Sequence, residues 1–132
     1  MPAAAPIPVV GAVMVRDGLV LCARRGAGKH MAGLWEFPGG KVEPGETAER
    51  ALVREIDEEL GCRVAVGDLI VTATHVYAEK SIALSTYRCT LVDGEPVPIE
   101  HAEIAWIDPA DLAALDWAPA DLPTVEAITA RR

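Results

Sequence analysis

Three glutamates, Glu55, Glu58 and Glu59, stand at positions i, i+3 and i+4 of one short stretch. Each residue of an α-helix turns the chain by about 100°, so on a helix these side chains share a face. Carboxylates held that close repel one another, and partial burial strengthens the repulsion. A divalent cation removes the penalty, and Mg²⁺, which takes oxygen ligands at about 2.1 Å, suits such a set. The same spacing also occurs on plain solvated acidic faces. Spacing alone leaves both readings open.

The helix that carries them is the strongest predicted element. Over residues 48–60, Ala48, Ala51, Leu52, Ile56 and Leu60 form one apolar stripe. Thr47 can cap its N-terminus, and Gly61 can take the left-handed position after its end. The carboxylate face overlaps one border of the stripe, so it is expected at the margin of the buried surface. Apolar runs at 7–14 and 19–23 flank Asp17-Gly18, a strong hairpin signal. Residues 24–33 read as a basic, glycine-containing loop, 34–37 as a short strand ending at Pro38, and 39–45 as loop. Residues 64–76, 81–92 and 104–107 are β-rich. Asp108-Pro109 opens a short helical turn, and 121–130 reads as a second helix. Strands outnumber helices, so the predicted architecture is a mixed sheet with two helices packed on it.

Composition narrows the chemistry. The chain has 132 residues, enough for one domain and a sizeable core, with 51% hydrophobic and 24% charged residues, which argues against disorder. No uncharged, proline-free run is long enough to span a membrane. The first eight residues, MPAAAPIP, read as a loose lead-in, and Met1 to Val15, uncharged but with Pro2, Pro6 and Pro8 and no basic leader, as a poor signal peptide. Cys22, Cys62 and Cys89 are odd in number and unpaired in spacing, so they read as reduced thiols in a cytoplasmic protein. Twelve Lys and Arg against twenty Asp and Glu give a net charge of −8, which disfavours a nucleic-acid backbone as partner. If the ligand carries phosphates, a cation must be brought to the site.

The wider spacing is more specific. Gly40, five residues, Glu46, seven residues, Arg54-Glu55-Ile56, one residue, Glu58-Glu59, one residue and Gly61-Cys62 resemble the Nudix box. The one departure is Cys62, where the box has an aliphatic residue; a free cysteine behaves as a small hydrophobe. The resemblance implies a single domain over 1–132 with the box at 40–62. It implies an α+β fold, an α/β/α sandwich around a mixed β-sheet. It also implies that Glu55, Glu58 and Glu59 ligate Mg²⁺, with Mn²⁺ as a substitute. Arg54 would orient a carboxylate, and Glu46 would steady the turn into the helix. Gly39 or Gly40 fits a position where a backbone carbonyl approaches the metal; a plain tight turn explains these glycines equally well.

The stretch Leu34-Trp35-Glu36-Phe37-Pro38-Gly39-Gly40-Lys41 is similar to the MutT branch of that family, whose members are nucleoside triphosphate pyrophosphohydrolases. This resemblance implies that Arg25 and Lys41 contact phosphates. Glu36 and Phe37 would wall a base pocket, with His30 in the loop above it. Glu100 would come to the metal from a distal loop. Asp121, in Trp117-Ala118-Pro119-Ala120-Asp121, would read the base edge. Each has a plainer reading: Phe37 as core, His30 and Arg25 as solvated loop, Glu100 as a loop carboxylate, Asp121 as a helix cap.

The implied reaction is hydrolysis of (deoxy)nucleoside 5′-triphosphates to the monophosphate and pyrophosphate, for nucleotide-pool sanitation. Water would attack the β-phosphorus, with Glu55 or Glu100 taking its proton. Relatives that remove 8-oxo-dGTP carry Asn where Asp121 stands. An ionised Asp only accepts hydrogen bonds and favours an amino group such as N4 of cytosine, whereas a protonated one can donate. The expected substrates are therefore CTP, dCTP, 5-methyl-dCTP and 8-oxo-dGTP. Competing readings are a hydrolase of ADP-ribose or dinucleotide polyphosphates, and a non-catalytic nucleotide sensor. The partner is a small nucleotide, with the protein a monomer or homodimer.

Overall fold

The computed structural model describes residues 5–78 and 80–130; the first four residues of the expected lead-in lie outside the described residues. Strand β1 (Ile7–Arg16) turns at Asp17-Gly18 into β2 (Leu19–Arg24), so the strand already includes the last two residues of that lead-in. Both turn residues are left-handed, with φ of 54° and 78°, which matches the twist of a two-residue hairpin. The register pairs Val15 with Val20 and Arg16 with Leu19. Strand β2 then pairs antiparallel with β3 (Trp35–Glu36) and β7 (Glu103–Ile107).

Strand β1 is the hub of the sheet. Its other edges carry β6 (Ser81–Asp93), which runs parallel to it from Ile7↔Ile82 to Met14↔Cys89, and the short β4 (Gly39–Lys41), which runs antiparallel. Strand β5 (Arg63–Val76) forms a long antiparallel hairpin with β6, irregular between Val66 and Val71. The sheet is thus mixed, as expected. Strand β4 corrects the reading of 39–45 as loop throughout. A Cβ on Gly39 would lie 1.9 Å from the carbonyl oxygen of Val10, so this pairing requires the absence of a side chain. Glycine is a poor strand former by propensity, which hid the strand.

Alternation along the strands sorts the core into two layers. Val10, Ala12 and Met14 of β1 and Leu21 of β2 pack against Ala51, Leu52, Ile56 and Leu60 of α1 (Ala48–Leu60). Val13, Val20 and Cys22 pack on the opposite side with Phe37, Leu112, Trp117 and residues of α2 (Leu122–Ala130). The result is the expected α/β/α sandwich. A 3₁₀ turn over Pro119–Asp121 precedes α2, so that helix starts one residue later than predicted. All three cysteines are buried free thiols, and burial pushes Cys22 and Cys89 up to about 12. Among the described residues, no helix is long and apolar enough to cross a membrane.

Candidate active site

The N-terminus of α1 is fixed by Thr47, whose hydroxyl accepts from the Arg50 N–H at 3.2 Å. At the other end Gly61, at φ 67°, donates its N–H to the Asp57 carbonyl. Arg54 projects from the first half of the helix and clamps the segment before it. Its Nε and Nη2 donate to the two oxygens of Glu46 at 2.7 and 2.9 Å, and Nη2 also reaches the Lys41 carbonyl at 3.1 Å. Glu46 accepts the Glu43 N–H as well, and Arg54 holds its carboxyl down to about 2. Nη1 of Arg54 donates to Oε1 of Glu55 at 2.8 Å, so one guanidinium ties the loop to the carboxylate it orients. Glu58 lies largely in solvent and meets Arg54 only loosely, at 3.4 Å.

Glu59 is different. Its side chain is 12% exposed, and Oε1 is buried without a hydrogen-bond partner. Burial, followed by the charges of Glu36, Glu55 and Glu100, pushes its pKa to about 8, against the opposing pull of a backbone hydrogen bond from Gly39. Burial also raises Glu55, with Arg54 pulling it back. Gly40 makes room for Glu55: a Cβ there would lie 2.3 Å from Oε2. Gly40→Ala is therefore expected to fold, because a carboxylate can rotate away, but to lose about 10²-fold in kcat as Glu55 leaves its place. Steady-state kinetics beside a thermal melt checks this.

Glu100 reaches the site because the chain between β6 and β7 is strapped to the C-terminal end of α1. The Val97 N–H donates to the Leu60 carbonyl at 2.9 Å, and the Ile99 N–H to the Glu59 carbonyl at 3.2 Å. These are helix-end carbonyls that otherwise lack partners. Glu100 then lines a polar cavity of about 200 Å³ with Arg25, Lys29, Glu36, Glu59 and His101.

Among the described residues, no three His, Cys, Asp or Glu side chains converge closely enough to chelate an ion as they stand. Glu55 is turned onto Arg54 and Glu58 toward solvent. The donor chemistry nevertheless fits a divalent cation. The donors are oxygens, one of them is buried and unpartnered, and burial together with mutual repulsion already lifts the central carboxyl. Glu55, Glu59 and Glu100 are the residues that would hold it.

Glu59 also borders a second cavity of about 260 Å³, lined in part by Arg25, His30, Phe37, Lys41, Tyr77 and Asp121. Phe37 is both wall and core: it is buried and stacks on Trp117 with ring centres 4.8 Å apart. Arg25 donates to Oε1 of Glu36 at 2.8 Å and to the His30 carbonyl, which orders the basic loop. His30 is exposed and meets Tyr77 edge-on. Lys41 is exposed at the cavity. Asp121, 5% exposed, accepts the Phe37 N–H on Oδ1 at 3.0 Å, where its plainer reading made it a helix cap. Burial pushes its pKa to about 8. Of the residues expected at the site, Arg25, His30, Glu36, Phe37, Gly39, Lys41, Glu59, Glu100 and Asp121 line these two cavities, whereas Arg54, Glu55 and Glu58 line neither, Glu55 lying behind Gly40 at the edge of the larger one. Sequence reasoning missed Tyr77, at the end of a strand, and His101, whose burial no local pattern announces.

The family comparison agrees with this geometry. The NUDIX domain profile matches residues 9–127. A CTP pyrophosphohydrolase of Escherichia coli (strain K12) is 40% identical over 126 residues, 96% of this chain and 93% of its own length. A putative 8-oxo-dGTP diphosphatase 2 of Mycobacterium tuberculosis (strain ATCC 25618 / H37Rv) is 42% identical over 116 residues, 86% of this chain and 81% of its own. The crystal structure of a MutT NUDIX hydrolase from Burkholderia pseudomallei matches with a TM-score of 0.83 at 33% identity, covering 96% of this chain and 100% of that one. With the box residues gathered on α1 and its flanking loops, and with a match over nearly its whole length, the chain belongs to the NUDIX domain family and is a hydrolase of it.

Proposed function

We propose that this protein hydrolyses nucleoside 5′-triphosphates to the monophosphate and pyrophosphate with the help of Mg²⁺ or Mn²⁺, and that CTP-type nucleotides and 8-oxo-dGTP are its substrates. One observation carries the reading: Glu59, with its unpartnered oxygen, stands on the border between a polar cavity and an aromatic-walled one. A triphosphate has the same two halves. Its base fits between Phe37 and the Asp121 end of the larger cavity. Its phosphates then fall toward Arg25, Lys29 and Lys41, beside the carboxylate edge of α1. The relatives named for CTP and for 8-oxo-dGTP support the same class.

When bound, a divalent cation supplies charge neutralisation on the polyphosphate and makes water a better nucleophile. The protein's own groups do the rest. Glu55, half-buried and aligned by Arg54, takes the proton of the attacking water, with Glu100 the other candidate. Arg25 and the lysines bind the phosphate oxygens. Attack at the β-phosphorus breaks its bond to the bridging oxygen, and the nucleoside monophosphate leaves with that oxygen. A nucleotide-sensing module is disfavoured because every box carboxylate is kept.

The test is turnover of CTP, dCTP, 5-methyl-dCTP, dGTP and 8-oxo-dGTP with Mg²⁺, and again with EDTA, in ¹⁸O-water. The expected result is metal-dependent hydrolysis with label in pyrophosphate. Negligible turnover of all five beside brisk hydrolysis of ADP-ribose or a dinucleotide polyphosphate would overturn the substrate class. Label in the monophosphate would move the attack to the α-phosphorus.

A further inference from the structure

We propose that His101 is a positioning residue, which holds Glu36, and through it Arg25, at the boundary between the two cavities. The inference rests on the proposed triphosphate reaction for its kinetic effect and on the side-chain geometry for its structural one. The His101 side chain is 5% exposed. Its Nε2 lies 2.8 Å from Oε2 of Glu36 and 3.9 Å from Oε1 of Glu59. The other oxygen of Glu36 accepts from Nη1 of Arg25 at 2.8 Å. Both oxygens of Glu36 are therefore occupied, one by each neighbour. Glu36, expected only as a wall of the base pocket, is the middle of a string running from the basic loop to the loop before β7.

A carboxylate only accepts hydrogen bonds, so the string requires the hydrogen of His101 to sit on Nε2. That N–H faces Glu36 and leaves Oε1 of Glu59 unpartnered, open to a cation. The backbone around the imidazole is pinned on both sides. Ile99 donates to the Glu59 carbonyl, and Ala102 donates to the Arg24 carbonyl at 2.9 Å. One bond ties the loop to α1 and the other ties it to β2. Nδ1 is buried without a partner. A residue needed for packing alone would be apolar, since a leucine fills similar space with no unpaired nitrogen. The imidazole is kept for its Nε2–H.

Three measurements on the whole enzyme test this. Nitrogen-15 NMR of the wild type is expected to show the Nε2–H tautomer for His101, with no nucleotide needed. His101→Leu is expected to raise KM for CTP about tenfold with a smaller change in kcat, while His101→Gln, which keeps an N–H donor, restores KM to within about threefold. In an Arg25→Ala background, His101→Leu is expected to add little, because the string is already cut. An Nδ1–H tautomer, an additive double variant, or a glutamine variant as impaired as the leucine one would overturn the proposal. If the leucine variant does not fold, the tautomer and the glutamine variant still decide. A wild type that hydrolyses none of the triphosphates refutes the reaction, and the tautomer measurement judges His101 separately.

Discussion

Glu59→Gln is expected to lower kcat for triphosphate hydrolysis by about three orders of magnitude while leaving the melting temperature at pH 7 equal to or above that of the wild type. Both effects come from one environment. Glu59 is buried, its Oε1 has no partner, and Glu36, Glu55 and Glu100 all push against its charge. Glutamine has the same shape and cannot ionise, so it removes the repulsion together with the buried carboxyl that would become a metal ligand on losing its proton. The sign of the stability change follows from linkage. The folded pKa of about 8 lies above the ordinary 4.5, so the folded state holds a proton that the unfolded chain releases. The stability this proton provides is complete below pH 4.5 and is lost as pH rises through about 8. The gain in melting temperature from Glu59→Gln is therefore expected to be larger at pH 8 than at pH 5. Steady-state kinetics and scanning calorimetry on the same preparation read both halves. Near-normal turnover would contradict the metal role, and a large fall in melting temperature would contradict the crowding of charge.

The base preference is expected to change with pH, with the ratio of kcat/KM for CTP to that for 8-oxo-dGTP rising about tenfold between pH 7 and pH 9. The cause is Asp121. Oδ1 accepts the Phe37 N–H, so the second oxygen carries the variable hydrogen. Burial places the midpoint at about 8, with the Phe37 hydrogen bond working against it. Below that pH the acid donates and suits a carbonyl such as O6 of 8-oxo-guanine; above it, the carboxylate accepts and suits N4 of cytosine. Asp121→Asn fixes a donor and an acceptor that do not titrate. Its ratio is expected to be flat across the same range, and its profile also corrects for ionisation of the nucleotides. A wild-type ratio independent of pH, or an equal slope in the asparagine variant, would contradict this reading of Asp121.

Local signals announced the parts of the fold whose causes are local. Thr47, the apolar stripe and Gly61 bracket α1 as predicted, and Asp17-Gly18 turns the hairpin. The three glutamates fell on one helical edge for the same reason. Pairing over long sequence distances was less legible. Gly39 and Gly40 read as loop because their strand is made by close approach to β1, not by propensity. The family resemblance pointed to Asp121 as a binding residue, and it does line the larger cavity, but its tie to Phe37, 84 residues away, was not legible. His101 escaped notice because only the strap across the end of α1 brings it against Glu36.

The most direct test is a crystal structure of the protein with Mg²⁺ and a non-hydrolysable α,β-methylene analogue of CTP. The expected result is metal density between Oε1 of Glu59 and the phosphate oxygens, with ligand distances near 2.1 Å and the base against Phe37. A nucleotide bound elsewhere, with the carboxylate edge of α1 facing bulk water and no metal upon it, would contradict the account.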